Sequence, residues 1–379
     1  MDEAIHVKRV LHIVSSMDRG GAETLIMNVY RNINRKRIQF DFVTHNTLKG
    51  EYDDEIRSLG GTIYSIPSLG SSGPFKYIKN LVSLMKEQSY VAVHAHTDYQ
   101  SGFPTLAARL SGIKKRISHS HSTDWPRGKS VKERAALRLL QSTIKVSANQ
   151  YCSCSPEAAR FLYGNHSLKR NKVSILKNGI DLTHFESINR EHSKSSVIEE
   201  LQLKPDVKIL GHVGRFSPSK NQEFILNVLA QLVKEDEKIV VLFIGDGPLQ
   251  KEVKEKAEKM NLSSYVKFLG VRSDVSRLMS AMDVFLFPSK FEGFGIAALE
   301  AQCAATPCVM SVAVPSSTDM GLSLVSYLIL NEESWVLAIK KALMVHRPNR
   351  EKIRKNITSH GYSITSNLPE WMELYGIKA

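Results

Sequence analysis

Hydrophobic and polar positions follow two rhythms along this chain. Short apolar runs such as "RVLHIVSS", "FDFVTH", "TIYSIP" and "VAVHAH" have the length and β-branched content of buried strands. Between them lie longer amphipathic stretches, "TLIMNVYRNI" and "FKYIKNLVSLMKEQ", whose apolar residues recur at helical spacing. "KRISHSHS" and "YCSCS" continue the strand series. Strand and helix taken in turn predict an α/β fold with a mostly parallel, doubly wound sheet.

The pattern then restarts. "VKILGHVGRFSPSKNQEFILNVLAQLV" again reads as strand, loop and helix, and "KIVVLFIGDGP", "VKFLGV", "DVFLFPS" and "TPCVMSV" supply further strands. Two similar Rossmann-like halves are expected, in keeping with a chain of 379 residues, which exceeds one ordinary hydrophobic core. The polar stretch "NREHSKSSVIEELQLKPD" places the boundary between Ile188 and Pro205. The expected division is residues 1–190, residues 191–365, and a last amphipathic helix, 366–379, crossing back onto the first half.

Composition narrows the classes. Lys and Arg outnumber Asp and Glu, 51 to 38, giving a net charge of +13. Such an excess suits an anionic partner: a phosphorylated ligand, an acidic membrane face or a nucleic acid. No zinc-finger or RNP-type motif is present, so nucleic acid is not expected. No run of eighteen apolar residues occurs, and the N-terminus lacks the h-region of a signal peptide. Cys152/Cys154 and Cys303/Cys308 lack metal-site spacing and read as buried thiols.

Open α/β sheets bind ligands beyond the carboxyl ends of their strands, which directs attention to the loops there. Gly20 and Gly21 follow the first strand and precede a helix; they suit either a tight turn or close approach to an anion. Arg215 and Lys220 follow the first strand of the second half. A planar fork and a point charge together suit a diphosphate, although both residues could be solvated surface cations. "FPSKFEGFGIAALEAQ" ends a strand and opens a helix through Gly293 and Gly295. Glu292 and Glu300 flank that turn. Carboxylates bind vicinal hydroxyls well, whereas the bland readings are dipole compensation for Glu292 and an exposed helix position for Glu300. Neither a P-loop nor a Gly-x-Gly-x-x-Gly fingerprint is present.

The Glu-x7-Glu spacing around Gly-Phe-Gly resembles the signature of the family 4 glycosyltransferases, retaining enzymes of GT-B fold. "GGAE", "NGID" (Asn178–Asp181), "GRFSPSKN", "IGDGP" and "FLG" resemble other family segments in the same order, from about Val10 to Pro315. The resemblance is greatest to bacterial exopolysaccharide and capsule enzymes. It implies two Rossmann-like domains facing a central cleft, the first for acceptor and the second for nucleotide-sugar. It further implies that Glu300 holds the ribose hydroxyls, that Glu292 holds the donor sugar, and that Arg215 and Lys220 neutralise the leaving diphosphate. Phe294, Gly295 and Ile296 would contact the donor through the helix start, Val271 would lie by the base, and Gly20 and Gly21 by the phosphates. A first-lobe histidine near the reacting sugar would be His121, with His119 the alternative. Two departures stand out: Ala305-Thr306-Pro307 lacks the family's glycine, and "AVPSSTDMG" replaces its Gly-Gly-x-x-Glu segment.

These parallels imply transfer of a hexosyl or N-acetylhexosaminyl group from a nucleotide-sugar, UDP foremost, to a lipid-linked or saccharide acceptor. No cofactor is expected, and no Asp-x-Asp stands at a strand end to hold a metal. The cations Arg127, Lys129, Lys132, Arg134, Arg138 and Lys145 of the segment 126–150 would suit an anionic membrane, although a core-packed helix with a charged outer face fits the helix itself slightly better. The expected location is cytoplasmic, at the inner face of the cell membrane, alongside other polysaccharide-assembly enzymes. Two rivals are a non-hydrolysing nucleotide-sugar epimerase and a non-enzymatic basic membrane- or nucleic-acid-binding protein; a PLP-dependent phosphorylase fits less well, as no lysine has a recognisable cofactor setting.

Overall fold

A computed structural model of the chain describes residues 7–122, 130–170, 172–236 and 238–377. Arg127 and Lys129 lie outside the described residues. The chain divides into two compact units, Met1–Gly179 with Ile364–Ala379, and Ile180–Ser363.

The first unit is built on β1 (Lys8–Ile13), β2 (Ile38–Thr44), β3 (Ile63–Ser65), β4 (Tyr90–Ala95), β5 (Lys115–Ser120), β6 (Gln150–Ser153) and β7 (Val173–Ile175). They form one sheet in the order β3-β2-β1-β4-β5-β6-β7. Every described pairing is parallel. Parallel strands are covered on both faces, which is why they read as near-continuous apolar runs. β2 is buried from end to end. Its Asp41 is tolerated there because Arg9 on β1 grips both carboxylate oxygens, at 2.6 and 2.5 Å.

The last helix, Ile364–Tyr375, belongs to this unit. Trp371 and Tyr375 are buried in a core shared with Tyr30, Phe40 and Phe42. The chain passes between the units at two places that run side by side, where Ile180 and Ser363 form an isolated parallel bridge. A methyl on Gly179 would stand 2.9 Å from Asn367 Nδ2 and 3.0 Å from Ile364 Cα, so this glycine permits the close approach.

The second unit holds β8 (Lys208–Val213), β9 (Ile239–Ile244), β10 (Val266–Gly270), β11 (Val284–Phe287), β12 (Cys308–Ser311) and β13 (Val325–Leu328). Their order is β10-β9-β8-β11-β12-β13, again parallel. The strand order of each sheet reverses direction beside its first strand, at β1/β4 and at β8/β11. Crevices form at such reversals.

The division at Gly179/Ile180 lies ahead of the polar stretch where the sequence places the boundary. Hydropathy misleads there because Arg190–Glu200 is a helix, polar overall, that buries only Ser193 and Val197. Its Arg190 and Lys194 both reach Asp283 beside β11, at 2.7 Å each, which ties it to the second unit. The return likewise comes at Ser363/Ile364. Cys152, Cys154, Cys303 and Cys308 are all free and buried.

Candidate functional site

In the second unit three loops at the carboxyl ends of β8, β9 and β11 are knitted together. Gly245 and Gly247 of "IGDGP" explain the first join. A methyl on Gly245, at φ 128°, would stand 2.3 Å from Gly214 O, and one on Gly247, at φ 155°, 2.5 Å from Phe216 O. The backbones close on each other through Gly214 N–H to Ile244 O and Phe216 N–H to Asp246 O, each 2.9 Å. The β11 loop is held by Lys290 N–H donating to Ser219 O at 2.7 Å.

Lys220 Nζ meets Glu292 Oε1 across these loops in an ion pair. The ammonium also lies 4.7 Å from the centre of the Phe287 ring. The pair therefore spans the β8/β11 reversal. Arg215 is exposed, and its carbonyl accepts from Gln222 Nε2 at 3.0 Å. Gln222 Nε2 also lies 3.2 Å from Nε2 of the buried His212. The sequence reading missed this support, although "GHVGRFSPSKNQ" contains every member of it.

Gly295 caps the helix Ile296–Cys303 with φ 89°, and no side chain caps its first turn. The start of a helix favours anions. Phe294 is buried, stacked at 5.0 Å on Tyr362, and its carbonyl accepts from Thr318 Oγ1 at 2.7 Å. Gln302 reinforces the same contact, donating to Thr318 O and accepting from Met320 N–H. The segment "AVPSSTDMG" thus braces the helix start from behind. Glu300 lies on this helix, and burial pushes its carboxyl up to about 7. Ile296 is half-buried, and Val271 is exposed just after β10.

In the first unit Gly20 caps the helix Gly21–Asn32, so Gly21 is helical rather than part of the loop. A methyl on Gly20 would stand 2.2 Å from Glu23 Oε2, so this helix end already faces a carboxylate of its own first turn.

His119 and His121 prove to be two of a set. His12 from β1, His94 and His96 from the end of β4, and His119 and His121 from the end of β5 lie together as two overlapping groups. His12, His94 and His119 are fully buried, whereas His121 keeps some exposure. One row joins His12 Nδ1 to His96 Nε2 at 3.0 Å and His96 Nδ1 to His121 Nε2 at 2.9 Å. The other joins Tyr375 Oη to His94 Nδ1 at 2.9 Å and His94 Nε2 to His119 Nδ1 at 3.1 Å. The rows lie against each other, His94 tilted over His96 at 4.1 Å and His119 stacked on His121 at 4.2 Å. Burial lowers His121 to about 4 and His12 to about 3, so these rings are neutral. Asp98 Oδ1 accepts the His121 amide at 2.7 Å, which fixes the backbone at the strand end; burial raises Asp98 to about 6 despite its amide donors. The signal was present in the sequence: "VLHIV", "VAVHAH" and "RISHSHS" place histidine on one face of three adjacent strand ends.

The comparisons with known proteins agree with this architecture. Residues 19–184 match the family described as Glycosyltransferase Family 4, and residues 193–360 that described as Glycosyl transferases group 1. The Bacillus subtilis (strain 168) protein EpsF, named as a glycosyltransferase, is 39% identical over 98% of this chain and 97% of its own. The Staphylococcus aureus capsular polysaccharide biosynthesis glycosyltransferase CapH is 29% identical over 77% of this chain and 78% of its own. An Escherichia coli UDP-Gal:alpha-D-GlcNAc-diphosphoundecaprenol alpha-1,3-galactosyltransferase is 27% identical over 68% and 67%. Among solved structures, Anabaena HepE with UDP and glucose superposes with a TM-score of 0.78 at 20% identity, over 97% of this chain and 99% of that one. WaaG, a glycosyltransferase involved in lipopolysaccharide biosynthesis, gives 0.74 at 17%, over 97% and 100%. The fold is GT-B, and the chain belongs to glycosyltransferase family 4.

Proposed function

We propose that this glycosyltransferase moves a sugar from a UDP-sugar, with retention at the anomeric carbon, to a hydroxyl of a lipid-linked oligosaccharide in exopolysaccharide or capsule synthesis. The observation that carries the donor half of this reading is the Lys220–Glu292 pair beside the helix Ile296–Cys303, whose first turn no side chain caps. A cation, helix-end amides and two carboxylates, Glu292 on a loop and Glu300 on the helix, belong to adjoining segments of one unit. That is the chemistry a nucleoside diphospho-sugar requires: charge for the bridge, acceptors for the hydroxyls at either end.

In this reading Glu300 takes the ribose hydroxyls and Glu292 those of the sugar. Arg215 and Lys220 carry the charge that grows on the diphosphate, with Phe294, Gly295 and Ile296 at the helix start. Val271 flanks the base. His121, the more exposed of its pair, is assigned by the resemblance to the reacting sugar, and Gly20 and Gly21 to the phosphates. The transfer needs no resident catalytic metal, because the protein's own cations and amides supply the stabilisation. UDP is favoured by the UDP-Gal named for the E. coli relative and the UDP in the HepE structures. The lipid-linked acceptor is favoured by the diphosphoundecaprenol in the former name.

Binding of UDP-sugars, read as a rise in melting temperature by mass action, tests the donor site. Glu300→Ala and Arg215→Ala should each abolish most of the shift; an undiminished shift in both would remove the site from this loop cluster. Incubation with UDP-GlcNAc and no acceptor should leave the sugar unchanged, whereas epimer formation would favour the epimerase.

The helix Val131–Ser147 supports a membrane-facing role, because Leu139 and Val146 are each 67% exposed beside Lys132, Arg134, Arg138 and Lys145. Peripheral attachment to the inner leaflet would use that pairing of apolar and basic surface. No described helix is long and apolar enough to cross a membrane. Co-sedimentation with phosphatidylglycerol vesicles should weaken in Arg138→Glu; equal pelleting with neutral vesicles would defeat the idea.

A further inference from the structure

We propose that Thr318 is a positioning residue for the donor: its hydroxyl holds the Phe294–Gly295 peptide so that the Gly295 N–H is aimed at the diphosphate. The inference rests on the donor site proposed above and adds to it a residue that touches no substrate. Thr318 is fully buried, and its Oγ1–H donates to Phe294 O at 2.7 Å. That peptide is trans, so its C=O and N–H point to opposite sides of the chain. A bond that fixes the carbonyl from behind therefore fixes the direction of the Gly295 N–H in front. It also polarises the peptide, which makes the N–H a better donor to an anion.

The peptide needs such a hold from outside. Glycine restricts its own dihedrals least of all residues, and Gly295 stands at φ 89° at the start of a helix whose first turn no side chain caps. Phe287 and Val314 close in on it: a methyl there would stand 3.0 Å from Phe287 Cε1 and 3.4 Å from Val314 Cγ1. Those contacts limit space without directing a carbonyl. The Thr318 hydroxyl directs it.

Thr318 is itself fixed. Its N–H bonds to Pro315 O at 3.0 Å. Gln302, also fully buried, donates to Thr318 O at 2.8 Å and accepts from Met320 N–H at 3.0 Å. Tyr362 stacks on the Phe294 ring at 5.0 Å and donates its hydroxyl to Ser317 O at 3.4 Å. The helix Ile296–Cys303 thus carries, in Gln302, the anchor of the segment that orients its own beginning. That segment is "AVPSSTDMG", where the chain departs from the family's pattern, so the departure brings a hold of its own.

Calorimetry on the full chain with UDP and with uridine tests this. Uridine lacks the phosphates, so the ratio of the two affinities reads the diphosphate contacts. Thr318→Val keeps the shape and drops the hydroxyl. It should lower the ratio about fivefold, the weight of about one neutral hydrogen bond, and Thr318→Ser should restore it. A merely structural role would weaken both ligands alike; an unchanged ratio in a folded Thr318→Val overturns the proposal. The wild type carries an independent arm. Phe294–Gly295 is the only Phe-Gly pair in the sequence, so carbonyl-¹³C phenylalanine with ¹⁵N glycine isolates its amide in an NMR spectrum. Its proton should move downfield with UDP and stay nearly still with uridine, and equal movement with both overturns the proposal. The donor site fails in a different way. A wild type that binds UDP no better than uridine has no diphosphate site for Thr318 to serve, whereas a preference for UDP that survives in Thr318→Val removes Thr318 alone.

Discussion

At the scale of single residues, Glu300 is the group whose chemistry the fold changes most usefully. Burial alone raises its carboxyl from 4.5 to about 7. Between those values the folded chain keeps a proton that the unfolded chain has released, so this residue's contribution to stability falls as pH rises through the window. Ligand binding has the opposite sign. Only the ionised carboxylate offers acceptors to both of two vicinal hydroxyls, so affinity for a UDP-sugar should climb as pH passes through about 7. Charge-assisted bonds are about twice as strong as neutral ones, and losing them should cost roughly tenfold in affinity. Glu300→Gln, which stays neutral, should bind at that weaker level with no such rise. Calorimetric titration from pH 6 to 8 measures both proteins. Parallel profiles would show that Glu300 does not touch the ribose.

At the scale of elements, the end of the helix Ile296–Cys303 shows how a departure from family pattern is met locally. Thr306 N–H reaches back to Ala301 O at 2.9 Å and Ala305 N–H to Gln302 O at 3.0 Å, the two bonds of a Schellman turn. Ala305 occupies the left-handed position of that turn, at φ 58°, where glycine is usual. Its methyl costs about 1–2 kcal/mol there, against about 0.5–1 kcal/mol that glycine would lose in unfolded-chain entropy. Ala305→Gly should therefore stabilise the chain by about 0.5–1 kcal/mol, seen as a higher urea midpoint with unchanged slope. A lower midpoint would mean that the methyl makes packing contacts worth more than the backbone strain. The missing glycine was legible in "ATP"; the left-handed backbone beneath it was not, because φ depends on where the helix stops. The same limit governed the rest of the site. Strand ends and glycine turns could be read from periodicity, and they located Lys220, Glu292 and Gly295. That Lys220 and Glu292 form a pair, and that three histidine-bearing segments meet, depends on the order of strands in each sheet. That order is set by long-range crossovers, which leave no mark in a local window.

For the whole molecule, the last helix carries the longest-range consequence, since it returns to a unit whose other residues end at Gly179. The amphipathic pattern of "SNLPEWMELYGIKA" was readable, and the two-lobed pattern suggested the return. Its depth of burial was not readable, because Trp371 packs against histidines that the sequence presents as strand-end polar residues. Trp371 is fully buried, 5.4 Å from the His94 ring, in the core that also holds Phe40 and Tyr375. Deleting such a ring leaves a cavity, and Trp371→Ala should cost about 3–5 kcal/mol. The indole N–H changes the expectation for a smaller truncation. It has no hydrogen-bond partner among the described residues, and a buried unsatisfied donor carries a penalty of about 1–3 kcal/mol. Trp371→Phe removes that penalty along with part of the ring, so the two effects oppose each other. Its loss should be well under half that of the alanine variant. Urea unfolding followed by circular dichroism compares the two. Equal losses would mean that the indole N–H finds a partner in solution, such as an ordered water, and that the polar end of the ring contributes as much as its apolar face.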